Sequence, residues 1–186
     1  MELLINKPGL LSTLQDMGRF FHLPEAVPVS GPMDSLSPRI ANRAVGNDDN
    51  AAVIEFTYGG AELFAVTELL IAVSGEGARL TGEMQRNFEL PNDRPLYIPA
   101  GASLSLKTTK SGCRLYLAVA GGWDVPEVMG SRSTYLPAGI GGCEGRALRA
   151  GDRLTSVPEL STVAGNILGG LQGDRFNYPG WSIARR

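Results

Sequence analysis

Glycine and proline interrupt this chain so often that few long regular elements fit between them. The 186 residues include 24 glycines and 12 prolines, residue types that form turns and end helices and strands. Short apolar or alternating runs lie between these turns, for example residues 69–74 and 113–120, and such runs are typical of strands. We therefore predict a mainly β fold, a closed or nearly closed β-barrel with one or two short helices.

One persuasive helix is predicted among the strands. Asp34 can cap its start, Pro38 suits its first turn, and Gly46 can stop it. Beyond Pro158 the sequence has only weak periodicity. We therefore predict one domain over residues 1–157 and a linker or tail over residues 158–186.

Composition and charge exclude several classes of function. The 17 basic and 19 acidic residues give a net charge of −2 and form no basic stripe, which argues against a nucleic-acid partner. The longest apolar stretch is too short to span a bilayer, and no signal-peptide pattern is found. We therefore expect a cytoplasmic protein with no membrane contact. Cys113 and Cys143, with a single histidine, provide no metal site.

Two polar segments in the first part of the chain are candidate site residues. Asp16 and Arg19 can pair with each other to pin a loop, or face a planar substrate such as a cyclic amide or a ureido group. Ser30 and Gly31 lead into the predicted helix start, where free backbone N–H groups bind anions or oxyanions. The alternative for Asp34 is simple capping, worth about 1 kcal/mol.

A second candidate surface follows the apolar run at residues 113–120. A glycine-rich loop over residues 139–146 lets backbone donors approach a carboxylate or phosphate, and an arginine can neutralise its charge. The alternative is a tight structural loop in which Arg146 binds a nearby acid. The predicted catalytic residues are Asp16, Arg19, Asp34 and Arg132, and the predicted substrate-binding residues are Ser30, Gly31, Ser133, Thr134, Gly141, Gly142 and Arg146.

Glu55 is a further acid, set in an otherwise apolar strand. It is predicted to face outward on an edge strand; turned inward, it would have a raised pKa and could act as a general base. His22 is the only histidine, and it provides no basis for a Ser-His-Asp arrangement.

Three blocks in fixed order carry a family resemblance. They are Gln15-Asp16-Met17-Gly18-Arg19 with Val27-Pro28-Val29-Ser30-Gly31-Pro32-Met33-Asp34, then Ala41-Asn42-Arg43-Ala44-Val45-Gly46-Asn47 with Ile54-Glu55-Phe56-Thr57, and finally Tyr116-Leu117-Ala118-Val119-Ala120-Gly121-Gly122 with Gly130-Ser131-Arg132-Ser133-Thr134 and Gly141-Gly142-Cys143-Glu144-Gly145-Arg146. From about Leu3 to Leu154 the chain resembles the biotin-dependent carboxyltransferase or allophanate hydrolase subunit 2 family. That family includes the C subunit of prokaryotic ATP-dependent 5-oxoprolinase and the carboxyltransferase half of urea carboxylase.

The resemblance implies a cyclophilin-like β-barrel and a role in a multi-subunit amide hydrolase. In that role a homologous B subunit (allophanate hydrolase subunit 1-like) and an A subunit join this chain to convert 5-oxoproline to glutamate. ATP is consumed by the assembled complex, and no cofactor is expected on this chain itself. Family members usually continue into a second, related half, toward which residues 158–186 are expected to lead.

Two alternatives stay open. One is the carboxyltransferase component of a urea carboxylase or allophanate system, with carboxybiotin delivered by a partner because the chain has no Met-Lys-Met attachment sequence. The other is a non-catalytic protein that binds and antagonises a kinase inhibitor. The chain also departs from the family at Phe21 and Ala26, where glycine is usual, so the loop around them is predicted to be altered.

Overall fold

The computed structural model describes residues 1–83 and 87–184, and these form eleven strands and two α-helices. Single-turn 3₁₀-helices lie at Leu23–Glu25 and Leu136–Ala138. The α-helices are α1 (Ser37–Ala44) and α2 (Thr162–Leu171). The strands are β1 (Glu2–Pro8), β2 (Leu11–Gln15), β3 (Val53–Thr57), β4 (Ala61–Ala65), β5 (Leu69–Glu76), β6 (Ala78–Glu83), β7 (Asn87–Glu89), β8 (Leu96–Ile98), β9 (Ser103–Thr108), β10 (Arg114–Val119) and β11 (Arg153–Thr155).

The strands form two antiparallel sheets. One has the order β11-β1-β4-β9-β6-β7 and the other the order β2-β3-β10-β5-β8. The mainly β prediction with one or two short helices is confirmed. The closed barrel is not: over the described residues the sheets stay separate. Three of the four outer strands, β11, β7 and β8, have only three residues each, so they offer few backbone groups to join one sheet to the other.

The main core lies between the two sheets, and the outer face of the five-stranded sheet packs against the helices. In β5, Ile71 and Val73 belong to the core between the sheets, while Leu70 and Ala72 belong to the cluster that faces α1. The strand predicted at the apolar run of residues 69–74 is therefore present, and it is buried on both faces. Each fully buried Leu, Ile or Val side chain contributes about 1.5–3 kcal/mol to the free energy of unfolding.

The predicted helix is present as α1. The Asp34 carboxylate accepts hydrogen bonds from the Leu36 and Ser37 N–H groups at 2.8 and 3.4 Å, and Pro38 lies in the first turn. Gly46, at φ 78°, follows the helix in a left-handed conformation that glycine adopts at low cost. Capping by Asp34 is therefore confirmed as a structural role.

Helix α2 was not predicted, because Gly165, Gly169 and Gly170 give its sequence a low helix propensity. Ser161 caps it by accepting a hydrogen bond from the Ala164 N–H at 3.0 Å. Ala164 is fully buried in the cluster that faces α1, so tertiary packing stabilises this helix. Neither helix has the length and continuous apolar character that crossing a membrane requires. That residues 158–186 lead to a second half stays a prediction.

The loop from Gly18 to Gly31 closes on itself. The Arg19 N–H donates to the Val29 carbonyl oxygen at 2.6 Å, and a Cβ on Gly18 would lie only 2.9 Å from the same oxygen. Within the loop Phe21 and Ala26 have φ values of 70° and 59°. These non-glycine residues therefore adopt the left-handed conformation that glycine favours, at a cost of about 1–2 kcal/mol each.

Replacing Phe21 by glycine should therefore stabilise the protein. The side chain is 95% exposed, so little packing is lost, and relief of the left-handed strain should raise the free energy of unfolding by up to about 1 kcal/mol. Urea denaturation measures this change. Phe20→Gly is the matched control: its φ is not left-handed, so it should lower the free energy of unfolding by about 0.5–1 kcal/mol. Equal effects of the two changes would contradict this account of the loop.

Candidate functional site

The buried carboxylate of Asp16 organises the candidate site. It lies directly after β2, is 2% exposed, and accepts four hydrogen bonds. Oδ1 accepts from the Gly18 N–H at 3.0 Å and from the Ser131 and Ser133 hydroxyls at 2.6 Å each. Oδ2 accepts from the Arg132 N–H at 2.5 Å. Residues 131–133 are thus wrapped around one carboxylate, and we call this group the Asp16 cluster.

Arg19 binds the same part of the chain but does not pair with Asp16. Its side chain is fully buried, and it donates from Nε to the Val128 carbonyl oxygen at 3.0 Å and from Nη2 to the Ser133 carbonyl oxygen at 2.8 Å. Among the described residues it forms no ion pair with a carboxylate. Pairing of Asp16 with Arg19, one of the two alternatives, is therefore wrong, and each residue instead holds residues 128–133 through separate hydrogen bonds.

The glycine-rich loop packs onto the Asp16 cluster. The Gly142 N–H donates to the Arg132 carbonyl oxygen at 2.9 Å. A Cβ on Gly141 would overlap the Ser133 carbonyl oxygen and lie 2.7 Å from Arg19 Nη2, so this close approach requires glycine. The structure therefore brings together seven of the predicted site residues: Asp16, Arg19, Arg132, Ser133, Thr134, Gly141 and Gly142.

Two clefts share the segment of residues 123–132. The first has a volume of about 360 Å³ and is lined by Asn47, Asp48, Asn50, Trp123 and Arg132, among others. The second has a volume of about 440 Å³ and is lined by residues 139–145 of the glycine-rich loop together with residues 124–126, Val128 and residues 153–155. The predicted residues are thus divided: Arg132 faces the first cleft, and Gly141 and Gly142 face the second.

Arg132 is the one predicted catalytic residue that lines either of these two clefts. Its backbone N–H is fixed by Asp16, while its guanidinium is half-exposed and lies 3.2 Å from the Glu127 carboxylate. Beside it, the Asn47 side chain is fixed by the Val119 carbonyl oxygen at 2.7 Å and the Gly121 N–H at 2.8 Å. The cleft therefore combines a positioned, accessible cation with a rigid wall.

The Ser30–Asp34 segment packs against the turn that follows Asp16. Gly31 lies so close to this turn that a Cβ on it would be 3.1 Å from the Met17 carbonyl oxygen. However, the backbone donors proposed for anion binding are already used. The Met33 N–H donates to Glu55 Oε2 and the Asp34 N–H donates to Tyr116 Oη, each at 2.8 Å. The prediction of free N–H groups is therefore wrong for these two residues.

Glu55 acts as a support for that segment. Its strand, β3, lies between β2 and β10, so the edge-strand prediction is wrong. The Glu55 side chain is largely buried and also lies 3.3 Å from the Arg114 guanidinium. Burial, with the Glu55 carboxylate beside it, raises the pKa of Tyr116, so the Tyr116 hydroxyl remains protonated and joins Glu55 to Asp34.

Arg146 is bound within its own loop. It donates to both carboxylate oxygens of Asp152 at 2.8 and 3.0 Å and lies 3.2 Å from Glu144, and its side chain lines neither of the two clefts. The structural alternative for Arg146 is therefore the one that the geometry supports. These hydrogen bonds hold the pKa of Asp152 below its usual range. Burial raises the pKa of the nearby Cys143 thiol.

Sequence reasoning missed the polar residues of the first cleft at the end of α1. Asn47, Asp48 and Asn50 stand in the run Gly46-Asn47-Asp48-Asp49-Asn50, which local patterns assign only to a helix stop. Asn50 also accepts a hydrogen bond from the Met17 N–H at 3.0 Å. Four consecutive polar residues after a glycine exceed what a helix end needs, and that excess is the signal that indicates a site.

The fold and the clefts define a class of protein: a two-sheet β domain, capped by helices on one face, whose polar site is built by loops rather than by strands. The chain belongs to the family described as carboxyltransferase domain, subdomain A and B, whose sequence pattern matches residues 25–179.

Curated relatives come from two kinds of enzyme. The C subunit of the 5-oxoprolinase of Escherichia coli is 44% identical over 153 residues, covering 81% of this chain and 47% of the relative. The urea amidolyase of Saccharomyces cerevisiae is 42% identical over 151 residues, covering 81% of this chain and 8% of the relative. The chain thus spans about half or less of the curated relatives that it matches.

A solved structure agrees with this assignment. The crystal structure of the urea amidolyase of Kluyveromyces lactis superposes with a TM-score of 0.80 at 40% identity, covering 87% of this chain and 10% of that one. The resemblance to allophanate hydrolase subunit 2 and to the C subunit of 5-oxoprolinase is therefore confirmed at the level of the family.

Asp152→Asn should destabilise the protein in a pH-dependent way. Loss of the paired, largely buried carboxylate should lower the free energy of unfolding by about 1–2 kcal/mol near neutral pH. The folded pKa of Asp152 lies below its unfolded value, so this stabilisation is complete above a pH of about 4 and is lost as the pH falls through the folded pKa. Urea denaturation over this pH range should show the difference between wild type and variant shrink in acid.

Asp49→Asn is the matched control for that experiment. Asp49 makes the same two-point contact with Arg43, at 2.6 and 2.7 Å, but its side chain is 35% exposed against 15% for Asp152. Solvent screening should make its loss clearly smaller. Two results would contradict a stabilising role for the buried Arg146–Asp152 pair. One is an equal loss of unfolding free energy in the two variants, and the other is a difference between wild type and Asp152→Asn that does not change with pH.

Proposed function

We propose that this chain is the component of an ATP-dependent 5-oxoprolinase that corresponds to its C subunit, and that it converts 5-oxoproline to glutamate together with A and B partner subunits. The observation that carries the proposal is the position of Arg132, whose backbone is fixed by the Asp16 cluster and whose guanidinium faces the first cleft. The 44% identity to the C subunit of the Escherichia coli 5-oxoprolinase supports it.

The first cleft has the groups that a small carboxylate-bearing amide needs. The guanidinium of Arg132 can bind a carboxylate through two parallel hydrogen bonds. The carboxylate of Asp48 is exposed in the same cleft and has no ion-pair partner among the described residues, so it can accept the N–H of a lactam. These two groups would orient 5-oxoproline by its two polar ends.

The other predicted catalytic residues, Asp16, Arg19 and Asp34, would act on this cleft indirectly. Asp16 and Arg19 are positioning residues, because each holds residues 128–133 and neither lines either of the two clefts. Asp34, with Ser30 and Gly31, shapes the turn that packs on Met17 and Gly18. In this proposal ATP is used by the assembled complex, and this chain binds and orients the amide.

A carboxyltransferase component of a urea carboxylase or allophanate system is the second candidate. The 42% identity to the urea amidolyase of Saccharomyces cerevisiae favours it, as does the fold shared with the urea amidolyase of Kluyveromyces lactis. A partner would then deliver carboxybiotin, and the ureido group or the substrate amide would take the place proposed for the lactam.

Arg132→Ala should abolish ATP-dependent release of glutamate from 5-oxoproline by this chain mixed with its A and B partner subunits. The variant removes the carboxylate-binding group but keeps the backbone N–H that bonds to Asp16. The lost ion pair with Glu127 is partly exposed, so the free energy of unfolding should change by less than about 1 kcal/mol. Glutamate release and urea denaturation measure the two effects.

Glu127→Gln is the matched control. It removes the partner of Arg132 without touching the guanidinium, so activity should be retained. A strongly lowered melting temperature in Arg132→Ala would favour a structural role for this residue. Activity that responds to urea and carboxybiotin, with none on 5-oxoproline in a competent complex, would replace the first candidate by the second.

A further inference from the structure

Asn50 lines the first cleft, and one hydrogen bond orients its side-chain amide there. Its Oδ1 accepts from the Met17 N–H at 3.0 Å. Because a peptide N–H only donates, the amide atom that faces Met17 must be the oxygen, and the NH2 group points away from Met17. That NH2 group donates to none of the described residues. It is therefore an oriented donor that is free to bind a ligand.

The turn that contains Asn50 is held by the buried side chain of Asn42 in α1. The Asn42 Nδ2 donates to the Ala51 carbonyl oxygen at 2.8 Å and to the Asp49 carbonyl oxygen at 3.5 Å, on either side of Asn50. The Ala51 N–H closes the turn by donating to the Asp48 carbonyl oxygen at 3.1 Å. A donor that is fixed in this way before a ligand arrives needs little rearrangement to bind it.

Asn50 lies beside Arg132, because both residues are bonded to neighbouring residues of one chain segment. The Asn50 amide bonds to the Met17 N–H, and the Arg132 N–H bonds to the carboxylate of Asp16. Asp48, two residues before Asn50, lines the same cleft of about 360 Å³. The cleft therefore brings together a guanidinium, a carboxylate and an amide donor.

A lactam such as 5-oxoproline presents its N–H and its carbonyl oxygen side by side, because the ring holds the amide bond cis. Binding both groups requires an acceptor and a donor next to each other. Asp48 and Asn50 provide such a pair from one closed turn, while Arg132 binds the substrate carboxylate. The lactam carbonyl oxygen, for which the proposed function names no donor, thus has a partner in the first cleft.

We propose that the Asn50 NH2 group donates a hydrogen bond to the amide carbonyl oxygen of the substrate, which makes Asn50 a specificity-determining residue of the first cleft. This hydrogen bond selects ligands that have a carbonyl group, and it strengthens as negative charge develops on the carbonyl oxygen. This role of Asn50 rests on the proposed function. In the urea carboxylase alternative the same donor binds the ureido carbonyl oxygen.

Nuclear magnetic resonance of the full ¹⁵N-labelled chain follows the Asn50 NH2 signals directly, with cyclopentanecarboxylate and its 3-oxo derivative as probes. The oxo acid has its carboxylate and carbonyl in the ring positions that they have in 5-oxoproline, and the parent acid lacks the carbonyl. We expect the oxo acid to bind about tenfold more tightly and to shift the Asn50 NH2 signals to saturation. Equal affinities, no binding of either acid, or unchanged Asn50 NH2 signals with the oxo acid bound would overturn the proposal.

Asn50→Asp separates the donor role from a structural one. The variant keeps an oxygen that accepts the Met17 N–H, so its melting temperature should not change, but it has no donor, so the preference for the oxo acid should disappear. Both acids have one carboxylate, so the added negative charge weakens their binding equally and leaves the ratio unaffected. Asn166→Asp is the matched control, because it adds the same charge at an exposed position of α2 outside both clefts and should keep the preference. A preference retained in Asn50→Asp would contradict the donor role.

Activity of the assembled complex tests the same residue independently. With A and B partner subunits, Asn50→Asp should lower kcat for glutamate release from 5-oxoproline at least about tenfold. A wild-type complex that is active on 5-oxoproline, with unchanged kcat and KM in Asn50→Asp, would overturn the role of Asn50 and leave the proposed function standing. A wild-type complex without this activity would remove the proposed function, whereas the carbonyl preference of the chain, if lost in Asn50→Asp, would still support Asn50 as the donor.

Discussion

The hydrogen bonds of the buried Asp16 carboxylate fix the position of the loop that contains residues 131–133, and the rest of the candidate site depends on them. A carboxylate that is 2% exposed is stable only when its charge is compensated by hydrogen bonds. Here four donors provide that compensation, one from the neighbouring Gly18 and three from the distant segment of residues 131–133. Charge-assisted hydrogen bonds of this kind contribute about 1.5–3 kcal/mol each, so residues 131–133 have one strongly preferred position relative to β2.

The two clefts follow from that arrangement. Asp16 fixes the backbone of Arg132, which faces the first cleft, and Arg19 fixes Val128 and Ser133 from behind. The glycine-rich loop then packs on Ser133 and Arg19 at a distance that only glycine permits. Residues 123–132 thus contribute to the lining of both clefts.

Local sequence signals predicted the parts of the fold that local physics decides. The continuous apolar run of β5 and the Asp34–Pro38 start of α1 need only burial and capping, and both are present. Helix α2 escaped prediction because its glycines oppose a helix and its stability comes from Ala164 packing on the α1 side. Sheet closure depends likewise on the lengths of outer strands, which local patterns define poorly.

The same distinction between local signals and contacts with distant residues applies to the candidate site. The residues around Asp16 and Ser131–Thr134 were predicted from their types and order, and the structure brings them together. The hydrogen-bond partner of each residue was not predictable, because that partner lies far away in the sequence. Arg19, for example, binds carbonyl oxygens of residues 128 and 133 rather than Asp16. In the same way Glu55 and Tyr116, from two neighbouring strands, occupy N–H groups that the sequence leaves free.

The most direct measurement is a double-mutant cycle between Asp16 and Ser133, with Asp16→Asn, Ser133→Ala and the double variant compared by urea denaturation. Because Ser133 Oγ both donates to the Asp16 carboxylate and accepts from the Asp16 N–H, we predict a coupling energy of about 1–3 kcal/mol. A parallel cycle of Asp16→Asn with the exposed Arg79→Gln should be additive within about 0.5 kcal/mol. Additivity between Asp16 and Ser133 would contradict the view that this carboxylate holds the site together.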